Sequence, residues 1–244
     1  MRPGSPRRIA PSVGLIVVVL LVSAARVTAH DPAILDPHRA TPGIRLELVE
    51  LPQSPAVPSS SRRYRLVAAG VPPGVTFGVW TRDFTHGFHE VVSGFRADGA
   101  GKLVSRDLNE MVLEPGPYFR GAIWEVALVS EDRAITAFTQ VIPRPIVEQD
   151  GACVVTLDLV SHRGQRFLAR GRGFAPGEEV VIESRYAGRV HQRRQQIPPD
   201  GTLPPDVVSH AGPGSERAAR YSVTGRSCHV TIEYEWGEHA FRRG

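Results

Sequence analysis

An all-β chain of two tandem β-sandwiches is predicted by three observations on the 244-residue sequence. Short stretches alternate apolar and polar residues with period two, the mark of half-buried strands. Clusters of Gly, Pro, Asp and Ser separate those stretches, with no helical period after residue 29. A strand–turn–strand unit then recurs one domain-length further along the chain.

The chain opens on Arg2, Arg7 and Arg8, runs through the apolar stretch Val13 to Val22, and reaches the small-residue tripeptide Val27-Thr28-Ala29. This is the three-part pattern of a secretory signal peptide. The apolar stretch, about ten residues, falls short of the roughly 20 that a membrane-spanning helix needs, and Pro11 stands near its start. A cleaved signal over 1–29 is therefore expected in place of a stable membrane span, and with it a secreted or periplasmic location. Cleavage after Ala29 leaves His30 first, while Ala24 and Ala25 are acceptable alternatives, so the site stays open between Ala24 and Ala29. No cysteine follows the stretch at a lipid-attachment position. Of the 29 basic residues, Arg2, Arg7, Arg8 and Arg26 precede His30 and no acidic residue does; the other 25 balance 25 acidic residues. A mature chain of zero net charge lacks the basic footprint of a nucleic-acid binder.

Ile44, Leu46 and Leu48 alternate with Arg45 and Glu47 as a first strand, and Pro52 to Ser61, rich in proline and serine, reads as a long exposed loop. Tyr64 to Arg82, YRLVAAGVPPGVTFGVWTR, then aligns without a gap with Phe167 to Arg185, FLARGRGFAPGEEVVIESR. Gly70 matches Gly173, Pro73-Gly74 matches Pro176-Gly177, and Arg82 matches Arg185. In both copies a strand ends at glycine, Pro-Gly makes a tight turn, and a second strand follows. Val75, Phe77 and Val79 alternate with Thr76, Gly78 and Trp80; Val180 and Ile182 alternate with Val181 and Glu183. Asp98-Gly99 before Leu103 echoes Asp200-Gly201 before Leu203. The mature length suits two sandwiches of about 100 residues each. The stiff connector Ile142-Pro143-Arg144-Pro145 sets the boundary, with a first repeat over 30–145 and a second over 146–244. Within the second, Pro198 to Gly214 reads as loop, and Val230, Ile232 and Tyr234 alternate with Thr231, Glu233 and Glu235 as a late strand.

The run Gly173-Phe174-Ala175-Pro176-Gly177-Glu178, followed by an alternating strand and a later Asp-Gly turn, resembles the immunoglobulin-like β-sandwich repeats of exported bacterial proteins. The first copy departs from it, with Val71 in place of Phe174 and Val75 in place of Glu178. The resemblance implies an immunoglobulin-like fold and a stalk, spacer or binding role. It brings no catalytic residues with it.

Cys153 and Cys228 are the only cysteines, and in an exported chain they read as one disulfide. In the repeat alignment Cys153 stands at Ile44 and Cys228 near Ile123, so a covalent contact in the second copy replaces an apolar one in the first. A mature N-terminal His30 offers an amine and an imidazole to copper, a site that His38, His86 or His89 would have to complete. The run Thr85-His86-Gly87-Phe88-His89-Glu90 has HxxHE order, not the HExxH of zinc metalloproteases, and its glycine disfavours a helix. No GxSxG elbow is present. The adjacent acid pairs Glu178-Glu179 and Glu131-Asp132 point to opposite faces of a strand and read as turn charges. Arg185, Arg189, Arg193 and Arg194 read as a solvated hairpin that protects an edge strand, or else as a patch for an acidic surface. At least two of Trp80, Trp124 and Trp236 are expected in the core.

These features predict a non-catalytic exported binding or structural module with no cofactor, whose partner is a protein or a cell-envelope component. The alternative is a copper-binding or copper-dependent oxidative protein using His30 with His86 and His89. Because the scaffold repeats and the connection after Arg82 does not, a ligand face is expected at Trp80, Arg82, Phe84, His86, Phe88 and His89. The competing expectation is that Phe84 and Phe88 fold inward over the sandwich edge.

Overall fold

The computed structural model describes residues 39–52, 62–83, 87–105, 109–115, 119–210 and 217–241. Their strands are β1 (Arg45–Glu50), β2 (Tyr64–Ala69), β3 (Phe77–Arg82), β4 (His89–Ala97), β5 (Leu103–Val104), β6 (Val112–Leu113), β7 (Trp124–Ser130), β8 (Thr136–Val141), β9 (Ile146–Asp150), β10 (Cys153–Leu159), β11 (Arg166–Arg172), β12 (Glu179–Tyr186), β13 (Arg189–Gln196), β14 (Leu203–Ser209), β15 (Ala218–Thr224) and β16 (His229–Glu235). A 3-10 turn over Gly237–Phe241 follows. No α-helix occurs among the described residues, and none of their segments is long and apolar enough to cross a membrane as a helix.

Four antiparallel sheets form two sandwiches. Sheet β1-β2-β6 faces sheet β5-β4-β3-β7-β8, and sheet β14-β11-β10-β9 faces sheet β13-β12-β15-β16. In the second pair the chain crosses between sheets after β11, β13 and β14, an immunoglobulin-like arrangement. The first pair repeats those pairings: β1-β2 corresponds to β10-β11, β3-β4 to β12-β13, and β7-β8 to β15-β16. The segment Pro198 to Gly214, expected as loop, instead contains β14, paired with β11. Its Pro204 and Pro205 hid the strand, and both are tolerated because β14 is an edge.

Alternation explains the cores. Phe77 and Val79 of β3 are buried with Leu66, Leu103, Trp124, Val126 and Leu128 in one apolar cluster. Val180 and Ile182 of β12 are buried with Leu157, Phe167, Tyr221, Ile232 and Trp236 in another. Gly70 and Gly173 both adopt left-handed backbone, at φ 78° and 85°. A Cβ on Gly70 would lie 2.3 Å from the Gly43 carbonyl oxygen, and one on Gly173 would lie 1.9 Å from that of Ala152. Each repeated glycine therefore marks the place where the chain leaving one strand crosses the start of its partner.

Glu178 was expected as a turn charge, but it is 1% exposed. Its side chain turns inward from the Pro-Gly turn and binds backbone amides, so it belongs to the scaffold. Where the chain passes from one sandwich to the other, Gly121 donates its N–H to Arg144 O at 2.7 Å and accepts from Leu159 N at 2.8 Å. Ala122 forms a parallel bridge with Leu159 and is buried in the second core. The proline connector is therefore braced by backbone hydrogen bonds as well as by its own stiffness.

Candidate functional site

Of the face expected on the first sandwich, Trp80, Arg82, Phe88 and His89 can be placed; Phe84 and His86 lie outside the described residues, as do His30 and His38. Trp80 and Phe138 pack with buried Phe88, Ala127 and Val129 in a small apolar cluster separate from the first core. Phe88 meets the Phe138 ring edge-on at 6.0 Å, and the Arg82 guanidinium lies 5.0 Å over the Phe88 ring while pairing with Glu125. His89 is exposed; its Nδ1 donates to Gly87 O at 3.1 Å, which leaves Nε2 to face Thr81 Oγ1 at 3.5 Å. Trp124 and Trp236 are core residues and Trp80 is partly buried.

The second sandwich differs on its two sides. On one, β9 lies beside β16, and the Cys153–Cys228 disulfide joins the two sheets with Cα atoms 6.3 Å apart. Asp150 Oδ2 accepts the His229 N–H there at 2.7 Å, as Thr41 Oγ1 accepts that of Thr136 at 3.0 Å in the first sandwich. Strand registers place Cys153 opposite the same glycine position as Ile44, as expected. They align Cys228 with Ile135, not with the neighbourhood of Ile123, because each immediately precedes the last strand. Loops of unequal length before β7 and β15 displaced the sequence alignment.

On the other side, β13 and β14 are edge strands of opposite sheets, and a cleft of about 290 Å³ opens between them. Its lining includes Ile182, Tyr186, His191, Arg193, Asp206 and Val208. On β13, His191 and Arg193 sit opposite Ser184 and Ile182, so they share the inward face of the sheet. Asp206 of β14 sits opposite buried Ala169 and likewise faces inward. The two strands meet through Arg193, whose Nη2 lies 3.0 Å from Asp206 Oδ1, while Tyr221 donates its hydroxyl to Asp206 Oδ2 at 3.0 Å.

Behind this pair stands an aromatic wall. The His191 ring stacks on Tyr186 with centroids 5.6 Å apart and planes 16° from parallel. Tyr186 lies 4.3 Å from His210, which contacts Trp236 at 5.2 Å and bonds the Tyr234 hydroxyl through Nε2 at 2.7 Å. Burial, with a smaller contribution from His191, pushes His210 down to about 4, so the ring is neutral at ordinary pH. Burial first, and then the charge of Asp206, raises the hydroxyls of Tyr221 and Tyr234 above the usual tyrosine range, so both remain protonated donors.

No family model and no curated protein sequence matches the chain. Among solved structures, it is similar to a tetra-tandem repeat from the extending region of a large adhesion protein, at 11% identity and TM-score 0.25, over 80% of this chain and 48% of that one. It is also similar to trypsin-activated alpha-2-macroglobulin from Escherichia coli, at 13% identity and TM-score 0.24, over 80% of this chain and 16% of that one. Salmonella alpha-2-macroglobulin reacted with methylamine matches at 12% identity and TM-score 0.20, over 80% and 17%. The chain thus spans about half of the first and about one-sixth of the others.

Sequence reasoning did not find the cleft. The Arg185 to Arg194 run is a hairpin, as expected, but Arg193 and His191 point into the sandwich mouth. An available signal was the failure of β13 to alternate: both of its faces are polar, which an edge strand needs when one face borders a wet cleft. No group of three His, Cys, Asp or Glu side chains suited to a metal ion occurs among the described residues.

Proposed function

We propose that the chain is an exported, non-catalytic binding module. A signal over 1–29 directs it outside the cytoplasm, repeats over 30–145 and 146–244 form two immunoglobulin-like units, and the second unit binds its partner in the β13–β14 cleft. The observation that carries this reading is the Arg193–Asp206 pair at 3.0 Å, which brings side chains of two different sheets together over a cleft of about 290 Å³. Charged groups held on strands, with Tyr221 bracing the carboxylate, form a preorganised polar site. The opposite side of the sandwich is clamped by the disulfide.

The partner is a protein or another component of the cell envelope. The test is co-sedimentation of the labelled, exported full-length protein with envelope fragments. Retention should fall about tenfold in Arg193→Gln at unchanged melting temperature. Wild-type retention in both Arg193→Gln and Asp206→Asn overturns the assignment to the cleft. A second reading places the partner on the first sandwich, supported by the Arg82 guanidinium over the Phe88 ring and the partly exposed Trp80 beside it. Retention lost in Arg82→Gln and kept in Arg193→Gln would favour that face.

A further inference from the structure

We propose that the β13–β14 cleft is a subsite for one neutral, polyhydroxylated ring, a hexopyranose unit of a glycan. The inference rests on the reading of the cleft as the binding site and names the chemistry of its ligand.

Charge decides first. Arg193 and Asp206 neutralise each other, and the Asp206 side chain is 20% exposed. An incoming carboxylate or phosphate would have to draw Arg193 away and leave that half-buried carboxylate unpaired, while an incoming cation would meet Arg193. A pair of neighbouring hydroxyls disturbs neither group. One hydroxyl donates to a free lone pair of Asp206, whose oxygens already accept from Arg193 and Tyr221. The other accepts from a guanidinium N–H not committed to Asp206 or to Gln195.

Shape points the same way. His191 stacked on Tyr186 forms one wall, and Ile182 and Val208 supply apolar surface at the base. A sugar ring has apolar C–H faces and a polar hydroxyl rim, which match an aromatic wall beside a donor and an acceptor. The volume of about 290 Å³ lies at the lower end of small-molecule sites, which begin near about 300 Å³, and accommodates a single ring. The rim residues His191 and Val207 are exposed, so a ring within a longer chain can enter.

A peptide adding as a further strand fits less well. Pro204 and Pro205 remove two N–H groups from β14, and the inward charge of Arg193 on β13 guards the other edge. The recognising groups are side chains, not free backbone.

The test is saturation-transfer NMR on the exported full-length protein with methyl glucopyranoside, methyl galactopyranoside, N-acetylglucosamine, glucuronate and inorganic phosphate as probes. At least one neutral hexose should show transfer, with a millimolar dissociation constant. Asp206→Asn and His191→Ala should each weaken it about tenfold, and His191→Phe should retain it. If Asp206→Asn fails to fold, Arg193→Gln, which removes the guanidinium donor, takes its place. Transfer from glucuronate or phosphate alone, transfer unchanged in these variants, or no transfer from any of the neutral probes each overturns the inference. Envelope retention that depends on Arg193 without a response to the neutral sugars overturns it while leaving the binding-module reading intact.

Discussion

Glu178 is tied to Arg226: its Oε2 accepts the Arg226 N–H at 2.8 Å, while Oε1 accepts the Ala175 N–H at 2.7 Å. One buried carboxylate thus joins the Pro176-Gly177 turn to the turn that carries Cys228. A Cβ on Gly225 would come within 3.0 Å of the same carboxylate, so the two turns are fitted to each other. The first sandwich has Val75 at this place, packed against its core.

Glu178→Val should lower stability by about 3 kcal/mol, because it leaves the Ala175 and Arg226 amides without the acceptor that satisfies them. Glu178→Gln keeps one acceptor oxygen and should lose about half as much. Urea denaturation of the two variants checks this, and a Glu178→Gln variant as stable as the wild type would show that only side-chain volume matters there.

The Cys153–Cys228 bond closes a loop with a sequence separation of 75. Replacing both cysteines with alanine should cost about 4 kcal/mol in the chain-entropy model. The oxidised, denatured protein should show no free thiol on titration, whereas a reactive pair would contradict the bond.

His210 makes stability depend on pH. Its value is 6.5 in the unfolded chain and about 4 in the folded one. Between those values the unfolded chain holds the extra proton, so stability is full above 6.5 and is lost as pH falls through 4. The loss is about 3 kcal/mol. Denaturation midpoints from pH 7 to pH 4 should fall less steeply in His210→Gln than in the wild type.

Asp158 is buried on β10, and the Arg170 guanidinium of β11 pairs with it at 2.5 Å. Burial raises the Asp158 carboxyl above its ordinary value and Arg170 works against that rise. Arg170→Ala should therefore destabilise the fold by about 2 kcal/mol, and adding Asp158→Asn should recover most of it. A double variant no more stable than the single one would mean that Arg170 acts through its packing.

Gly121 has φ 77°, and a Cβ there would lie 2.9 Å from Leu157 O and 3.0 Å from Ile146 Cδ1. Gly121→Ala should cost about 2 kcal/mol and speed hydrogen exchange at Leu159 N–H, whose acceptor is Gly121 O. Unchanged exchange at Leu159 would show that the junction tolerates the shift.

Local pattern was enough for much of this fold. Alternation at Phe77 and Val79, and at Val180 and Ile182, marks strands because one face of a sandwich sheet must be apolar. The repeated Gly-x-x-Pro-Gly spacing marks turns because only glycine takes the left-handed backbone without strain. A lone pair of cysteines has one possible partnership. What the sequence could not determine was which edges meet. Arg193 and Asp206 lie on different sheets and become neighbours only when those sheets pack, so no periodicity links them. β14 escaped notice because Pro204 and Pro205 read as loop until its place at a sheet edge excuses them. Glu178 read as a surface charge because its acceptors' partners, the amides of Ala175 and Arg226, come together only through tertiary folding. Sequence carries the local preferences of each strand and turn, whereas a site built between two sheets exists only once long-range packing has closed them.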